Sequence, residues 1–195
     1  MPYRTVLMFG PPGSGKGTWG NVLKQIPGMY HFSSGDMFRA LDPDSPMGKM
    51  TLESIRKGEL VPDHQAVVLW REQMARLANF GEFDPLKQYL ILDGLPRTSA
   101  QVAMVKDDLD VQVIIALDCP DRDVLVQRLY RRALMQHRVD DANETTILKR
   151  FEVYDELTEG VLKHYPNQLI HTVDVSNPPQ RILADISMAL VDHLG

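Results

Sequence analysis

The chain has 195 residues, of which 44% are hydrophobic and 24% are charged, and its formal net charge is −5. These values are typical of one soluble globular domain with a sizeable core, and they exclude a disordered or fibrous protein. The negative charge argues against a dedicated surface for nucleic acid or anionic membranes, so we expect small-molecule partners, no nucleic acid and no membrane.

A single cysteine, Cys119, excludes an internal disulfide framework and a multi-cysteine zinc site. The N-terminal stretch MPYRTVLMFG has one positive residue and a short apolar run, without the pattern of a signal peptide or the length of a membrane span. We therefore expect a protein of the cytoplasm.

Five short apolar runs predict β-strands along the chain. Each run is continuous rather than alternating, which is typical of strands covered on both faces in a parallel sheet with flanking helices. Buried helical segments are the alternative, but the runs are too short for helices and are rich in Val and Ile. The sequence therefore predicts an α/β fold, with strands at residues 5–9, 30–33, 89–93, 111–118 and 169–175.

Two segments between the strands have the apolar spacing of amphipathic helices. One helix is predicted to begin at Pro62, a position that proline tolerates, and the other near Asp141, where Glu144 would complete a capping box. Their apolar residues are Val67, Trp70, Met74 and Leu77 in the first helix, and Ile147, Phe151, Tyr154, Leu157 and Val161 in the second.

The stretch GPPGSGKGT, residues 10–18, follows the first predicted strand and precedes a helix, which is the context of a phosphate-binding loop. Glycines let backbone N–H groups converge on phosphate oxygens, and Lys16 would add a positive charge at the β- and γ-phosphates. Gly17 stands where the common motif has Ser or Thr, so the magnesium ligand must come from Thr18, from water or from an acid elsewhere. A glycine-rich turn with an incidental lysine is the alternative.

Asp93 ends the third predicted strand, at the carboxyl edge where ligands bind in open α/β sheets. In that position it would face the phosphate loop and hold a magnesium ion through water, which supplies the missing acid. An ordinary Asp-Gly turn is the alternative.

Five stretches, taken in order, resemble the nucleoside monophosphate kinases and most closely the adenylate kinases. They are GPPGSGKGT at 10–18, SSGDMFR at 33–39, GELVPD at 58–63, DGLPRTSAQ at 93–101 and the arginine-rich stretch at 128–150. The family's own loop reads Gly-Lys-Gly-Thr, so Gly17 agrees with it.

The resemblance implies a P-loop three-layer fold with a five-stranded parallel sheet. It implies a single domain over residues 1–195, with an inserted nucleoside monophosphate-binding subdomain at about 33–62, which binds the acceptor, and a short lid at about 131–142. Long lids in related enzymes can hold zinc, but this short lid has no ligands for a structural zinc.

The resemblance also implies an acceptor site. Arg39 and Arg97 match arginines that hold the acceptor phosphate, because a planar guanidinium can grip two oxygens at once. Gln101 matches the amide that reads the base. Related UMP/CMP kinases have Asn there and Ala in place of Ser34, so the implied acceptor is AMP. The implied AMP-binding residues are Ser34, Arg39, Glu59, Leu60, Val61, Gly94, Leu95, Pro96, Arg97, Gln101, Arg138 and Arg150.

The arginines before the lid, taken alone, are typical of a solvated helix face. Arg128 and Arg132 lie four apart and share one face, as the family places a donor-base contact and a phosphate contact. Arg131 lies three from Arg128, so the choice of Arg132 depends on the family spacing. The implied ATP-binding residues are Gly13, Ser14, Gly15, Lys16, Gly17, Thr18, Arg128 and Asn177.

Arg150 falls within the apolar arc of its helix, where a guanidinium needs a partner such as a transferring phosphoryl group. In the family, residues matching Asp140 and Asp141 order the lid arginines, although an Asp pair before a helix is also an ordinary cap. The implied catalytic residues are Lys16, Asp93, Arg97, Arg132, Arg138 and Arg150.

The implied activity is reversible, magnesium-dependent transfer of the γ-phosphoryl group of ATP to AMP, giving two ADP, by a protein expected to be a monomer. A UMP/CMP kinase of the same fold is one alternative, and a nucleotide-sensing module without turnover is the other. Four features depart from the family pattern. Trp19 replaces the usual Gln after the loop, where we expect it to pack beneath the loop, and Leu95 replaces an aromatic residue. His137 precedes Arg138 where Gly is common, and DDANETT, residues 140–146, has one residue more than the typical spacing to Arg150.

Overall fold

The computed structural model describes residues 1–136 and 138–194, apart from the side chains at 139, 158 and 159. His137, one of the four departures from the family pattern, lies outside this part of the chain. Five strands form one sheet: β1 (Tyr3–Phe9), β2 (Met29–Ser33), β3 (Tyr89–Asp93), β4 (Leu109–Asp118) and β5 (Ile170–Asp174).

The sheet is parallel throughout, with the strand order β2-β3-β1-β4-β5. All five predicted strands are present, and β4 begins two residues before its predicted start. Helices connect the strands: α1 (Lys16–Leu23), α2 (Ser34–Arg39), α3 (Pro46–Lys57), α4 (Asp63–Asn79), α5 (Ser99–Val105), α6 (Arg122–Gln136), α7 (Glu144–Leu162) and α8 (Pro179–Leu194).

Alternate residues of β1 point to opposite faces of the sheet, and each face has its own core. Val6 and Met8 pack into the core beneath α1, α6 and α8. Leu7 and Phe9 pack into the other core, which α4 and α5 cover. Burial on both faces explains why the strand sequences are continuously apolar, and it confirms the predicted three-layer α/β fold.

The strand register brings three chain segments together at the carboxyl edge of the sheet. Met8 of β1 pairs with Asp93 of β3, and Ser33 of β2 pairs with the same residue. The loop after β1, the start of α2 and the end of β3 therefore lie side by side, at the edge where parallel sheets bind their ligands.

The start of α7 differs from the prediction. The helix begins at Glu144, and the Oδ1 of Asn143 accepts hydrogen bonds from the backbone N–H groups of Thr145 at 2.8 Å and Thr146 at 3.4 Å. Asn143 is therefore the cap. Asp141, the predicted start, lies instead in a one-turn 3₁₀ segment (Val139–Asp141), and its carboxylate binds arginines.

Two segments of the chain correspond in position to the predicted insert and lid. The helices α2 and α3 fill the connection between β2 and α4, and the Oγ1 of Thr146 on α7 donates a hydrogen bond to the Arg56 carbonyl oxygen on α3 at 3.2 Å. Residues 131–142 comprise the end of α6 and the 3₁₀ segment before α7. No helix in the described part of the chain is long and apolar enough to cross a membrane.

Candidate active site

The loop after β1 is shaped by glycines in the left-handed backbone conformation, where other residues would be strained. Gly13 has a φ of 84°, in the left-handed region, and a Cβ added there would lie 2.7 Å from the Leu125 carbonyl oxygen on α6. Gly15 has a φ of 94° and directly precedes α1. The loop therefore packs tightly against α6 and leads into the N-terminus of α1, where free backbone N–H groups favour anions.

Lys16 is folded across this loop. Its Nζ donates hydrogen bonds to the carbonyl oxygens of Gly10 at 2.6 Å and Pro11 at 3.2 Å. Burial lowers the pKa of Lys16 to about 8; the negative charge of Asp93 opposes this shift, and the charge of Arg97 adds to it. An ammonium group in this position gains free energy from any anion that binds in the loop.

Asp93 lies at the end of β3 beside the loop and is 7% exposed. A Cβ added to Gly17 would come 3.9 Å from its Oδ2, an ordinary contact, so the absence of a side chain at Gly17 leaves space beside the carboxylate. Among the described residues, no group of three or more His, Cys, Asp or Glu side chains could hold a metal ion by itself. One carboxylate with adjacent space fits a hydrated magnesium ion that a phosphate ligand carries, because magnesium keeps several waters.

A deep cleft extends from Lys16 to the helices between β2 and α4. Its walls come from the loop, from α2 and α3, from the residues after β3 and from one face of α7. The structure brings these predicted site residues into the cleft wall: Lys16, Arg39, Glu59, Leu60, Val61, Gly94, Leu95, Pro96, Arg97, Gln101 and Arg150.

Ser34 and Gly94 lie in close contact at one wall of the cleft. A Cβ on Gly94, whose φ is 87°, would come 2.5 Å from the Ser34 Oγ and 3.0 Å from the Arg97 Nη2. The Ser34 hydroxyl is buried against Gly94 without a hydrogen-bond partner, and it does not line the cleft itself. Only glycine permits this approach of the serine and the arginine.

Two arginines of the predicted acceptor site lie in the cleft wall. The Nη2 of Arg39 lies 2.6 Å from the Oδ1 of Asp36, and the Nε of Arg97 donates a hydrogen bond to the Gly94 carbonyl oxygen at 2.9 Å. Burial lowers the pKa of Arg97, and the positive charges of Arg150 and Arg39 lower it further. This part of the cleft therefore favours an anionic ligand.

A second group of arginines surrounds two buried carboxylates next to the cleft. Arg132 makes two hydrogen bonds to Asp141, at 2.5 and 2.9 Å, and Arg150 binds the same carboxylate and lies 3.1 Å from Asp140. Arg138 lies 4.0 Å from Asp140. Burial alone would raise the pKa of Asp141, but its contacts with Arg132 and Arg150 lower it overall. These arginines are held in place by carboxylates rather than by backbone geometry.

Arg138 also reaches the helix α2. Its Nη2 lies 3.8 Å from the Oδ1 of Asp36, which is the carboxylate that pairs with Arg39. Burial lowers the pKa of Arg138 to about 10, and the charges of Arg132 and Arg39 contribute. Asp36 thus joins the predicted lid to the predicted insert, although it is not among the predicted site residues. Its signal in the sequence was the three-residue spacing to Arg39 in a short helix.

Arg128 and Asn177 lie at a separate place, around the connection between β5 and α8. The Nη2 of Arg128 donates to the Val175 carbonyl oxygen at 2.9 Å, and the Nδ2 of Asn177 donates to the Asp174 carbonyl oxygen at 3.2 Å. Neither residue lines the cleft. Leu125 lies one turn before Arg128 on α6 and contacts Gly13 of the phosphate loop. The helix α6 therefore connects the loop with the β5–α8 connection.

Arg132 rather than Arg131 faces the inside of the molecule, as the family spacing implied. Arg132 binds Asp141, whereas Arg131 is exposed. Two contributions to the site were not predicted. Tyr154 and Leu157 of α7 line the cleft, whereas the sequence predicts them only as part of one apolar helix face. Asp63, at the start of α4, contacts Gln101 without lining the cleft.

Comparisons with known proteins agree with this geometry. The sequence model of the family described as "Adenylate kinase" matches residues 8–170. A protein named "Adenylate kinase" from Flavobacterium psychrophilum is 33% identical over 189 residues, which cover 93% of this chain and 95% of that protein.

Two other relatives match to a similar extent. "Adenylate kinase 1" of Schistosoma mansoni is 35% identical over 190 residues, covering 96% of this chain and 92% of that protein. "Adenylate kinase" of Thermus thermophilus is 33% identical over 194 residues, covering 96% and 97%. The phosphate loop, the cleft and the paired arginines are thus features of a chain that belongs to the adenylate kinase family.

Proposed function

We propose that this chain catalyses the reversible transfer of the γ-phosphoryl group of MgATP to AMP, giving two ADP. The observation that supports this reaction best is one cleft whose wall contains both Lys16 of the phosphate loop and the arginine pair Arg39 and Arg97. A transfer between two nucleotides needs two anion sites facing each other, and a hydrolase or a simple binding module does not need the second.

At the donor end, the backbone N–H groups of residues 13–18 and Lys16 bind the ATP phosphates. The Nζ of Lys16 now donates to two carbonyl oxygens of its own loop, and phosphate oxygens would replace these weaker partners. Arg128 and Asn177 hold the donor base, since both lie at the β5–α8 connection, which α6 joins to the loop.

Magnesium bound with ATP neutralises charge on the phosphates, and Asp93 would hold that ion through water. Asp93 suits this role because it is nearly buried, lies beside the loop and faces the space that Gly17 leaves open. No structural zinc is required.

At the acceptor end, Arg39 and Arg97 hold the AMP phosphate opposite the donor. Gly94 to Pro96 and Glu59 to Val61 enclose the base, and Gln101 reads its edge, with Ser34 fixing the wall behind Gly94. The residues assigned to AMP on this basis are Ser34, Arg39, Glu59, Leu60, Val61, Gly94, Leu95, Pro96, Arg97 and Gln101.

The three arginines Arg132, Arg138 and Arg150 stabilise the charge of the transferring group. They converge on Asp140 and Asp141, so the phosphoryl group would meet guanidinium groups that are already oriented. Residues 131–142 act as a lid and 33–62 as the acceptor insert, and closure of both excludes water that would otherwise hydrolyse ATP. We propose that the protein works as a monomer in the cytoplasm.

A substrate panel tests this proposal. The purified protein is incubated with MgATP and, separately, AMP, CMP, UMP, GMP or dTMP, and formation of each diphosphate is measured. We expect rapid ADP formation with AMP and little product with the others. A preference for CMP or UMP would assign a UMP/CMP kinase, and ATP binding without any diphosphate formation would assign a nucleotide-sensing module.

A further inference from the structure

The side-chain amide of Gln101 is held at both ends. Its Oε1 accepts a hydrogen bond from the backbone N–H of Arg97 at 2.7 Å, and its Nε2 donates one to the Oδ1 of Asp63 at 2.8 Å. Gln101 is only 3% exposed. A backbone N–H can only donate and a carboxylate can only accept, so only one of the two orientations of the amide satisfies both partners.

The supports on either side of the amide belong to different elements. Asp63 is the first residue of α4, a helix anchored in the core by Trp70 and Met74. Gln101 is in the first turn of α5, where its own backbone N–H donates to the Oγ1 of Thr98 at 3.0 Å. Rotating the amide by half a turn would set its NH₂ group against the Arg97 N–H and its oxygen against the carboxylate. Two hydrogen bonds would become two repulsive contacts.

We infer that Asp63 is a positioning residue that fixes the orientation of the Gln101 amide and thereby determines which acceptor base the cleft accepts. An amide has two N–H groups and two oxygen lone pairs, and Asp63 and Arg97 use one of each. One N–H and one lone pair remain for the base, in a fixed order. Adenine presents a ring nitrogen that accepts and an amino group that donates, which this order satisfies.

Hypoxanthine has nearly the same shape as adenine but the reverse pattern, with a carbonyl oxygen that accepts and a ring N–H that donates. It would require the rotated amide, which Asp63 opposes. The cleft should therefore discriminate AMP from IMP through Asp63, although Asp63 itself does not line the cleft. This inference rests on the proposed function, since it requires the AMP base to meet Gln101.

The test compares Asp63→Ala and Asp63→Ser with the wild type. Serine is well accepted at a helix N-terminus but is too short to reach the amide, so it tests the contact if the alanine variant folds poorly. Asp63→Asn keeps an acceptor oxygen at the same reach and serves as the rescue variant. Glu72→Ala, at an exposed position on the same helix, is the matched control. KM and kcat are measured with AMP and IMP at saturating MgATP, together with KM for ATP and the thermal midpoint.

We expect the Ala and Ser variants to raise KM for AMP about tenfold and to reduce the AMP-to-IMP ratio of kcat/KM about tenfold, as for the loss of one hydrogen bond to a charged group. The kcat at saturating AMP and KM for ATP should change less than about twofold. Asp63→Asn should restore most of the ratio, and Glu72→Ala should leave it unchanged.

The outcomes separate the two proposals. If the wild type forms ADP from AMP but the ratio stays within about twofold of wild type in both variants, this inference is wrong and the proposed function stands. A parallel loss in KM for ATP, kcat and thermal midpoint would assign Asp63 a purely structural role and also overturn it. If the wild type forms no ADP from AMP, the proposed function fails, and this inference fails with it.

Discussion

The two ends of the cleft position their charged groups by different means. At the donor end, the path of the backbone does so: glycines with positive φ shape the loop, and α1 begins directly behind it. At the lid and acceptor end, side-chain carboxylates do so, with Asp36 beside Arg39 and Asp141 between Arg132 and Arg150. The first arrangement is set by the fold of the backbone itself. The second consists of ion pairs that a phosphate can replace, which suits the closure proposed for the lid and the acceptor insert.

The largest effect should come from removing an arginine at the acceptor end. Arg97 lines the cleft, and the Nε of its guanidinium donates a hydrogen bond to the Gly94 carbonyl oxygen at 2.9 Å. We expect Arg97→Ala to lower kcat/KM for AMP about a thousandfold, because the charge acts on the acceptor phosphate and on the transfer. The dissociation constant for ATP should change less than about threefold.

The matched control for this variant is Arg131→Ala, which removes an exposed arginine from α6. Steady-state kinetics give kcat/KM for AMP, and a direct binding measurement gives the dissociation constant for ATP. Unchanged AMP kinetics in Arg97→Ala would contradict the assignment of Arg97 to the acceptor. An equal loss of ATP affinity would mean that Arg97 serves the donor as much as the acceptor.

The second largest effect tests the role of the backbone at the donor end. In Gly13→Ala, the added Cβ would meet the Leu125 carbonyl oxygen at 2.7 Å and the left-handed φ of 84° would be strained. The loop must therefore shift. We expect kcat/KM for ATP to fall about a hundredfold, because moving reacting groups by about 1 Å typically costs that much in rate.

Gly81→Ala is the control for the strain alone, since Gly81 has a φ of 72° and a Cβ there would meet nothing within 4 Å. Both variants should lose about 1 kcal/mol or more of stability from the left-handed conformation, but only Gly13→Ala should lose activity. Kinetics and denaturant unfolding of the pair make the measurement. Comparable activities would show that the loop tolerates movement.

The contrast between the two ends also explains how much the sequence could predict. The strands and the phosphate loop were predictable because apolar runs and glycine spacing are local signals, and β1, the loop and α1 are consecutive in the chain. The start of α7 was mispredicted because Asp141 and Asn143 are both good caps in isolation. Only the fold shows that the Asp141 carboxylate is engaged by Arg132, which leaves Asn143 to cap the helix.

Contacts between distant segments left no pattern in the sequence. Asp63 and Gln101 are 38 residues apart, and the approach of Arg138 to Asp36 joins segments that are farther apart still. Spacing restricted the inward-facing arginine to Arg131 or Arg132, since either can share a face with Arg128. The fold decides between them because it places a buried carboxylate beside Arg132 alone.

A smaller effect concerns pH at the donor end. Burial lowers the pKa of Lys16 to about 8, so in the free protein this residue is charged below that pH and neutral above it. ATP phosphates bind the charged form, and KM for ATP should therefore rise as the pH passes through 8, approaching tenfold for each further pH unit. An exposed lysine would show this rise only above pH 10.

Rate profiles from pH 6.5 to 9.5 at saturating AMP measure this effect. Lys16→Arg keeps its charge over the whole range, so its KM for ATP should stay flat even if its activity is lower. A flat profile in the wild type would show that the lysine stays charged in the free loop. Burial would then lower the pKa of Lys16 less than the structure indicates.

The smallest effect is expected at Trp19, where the donor end departs from the Gln that is common in the family. The indole packs against the core beneath the loop, and its Nε1 would lie 3.4 Å from a Cβ on Gly15. The ring therefore supports the loop from below without entering the cleft. Trp19→Gln should cost about 1–2 kcal/mol of stability through lost apolar contact and change kcat/KM for ATP less than about threefold. Because glycine geometry and the contact of Gly13 with α6 already fix the loop, its shape should survive the loss of the ring. A loss of activity as large as that of Gly13→Ala, at equal folding, would instead mean that the donor end depends on side-chain support, as the acceptor end does.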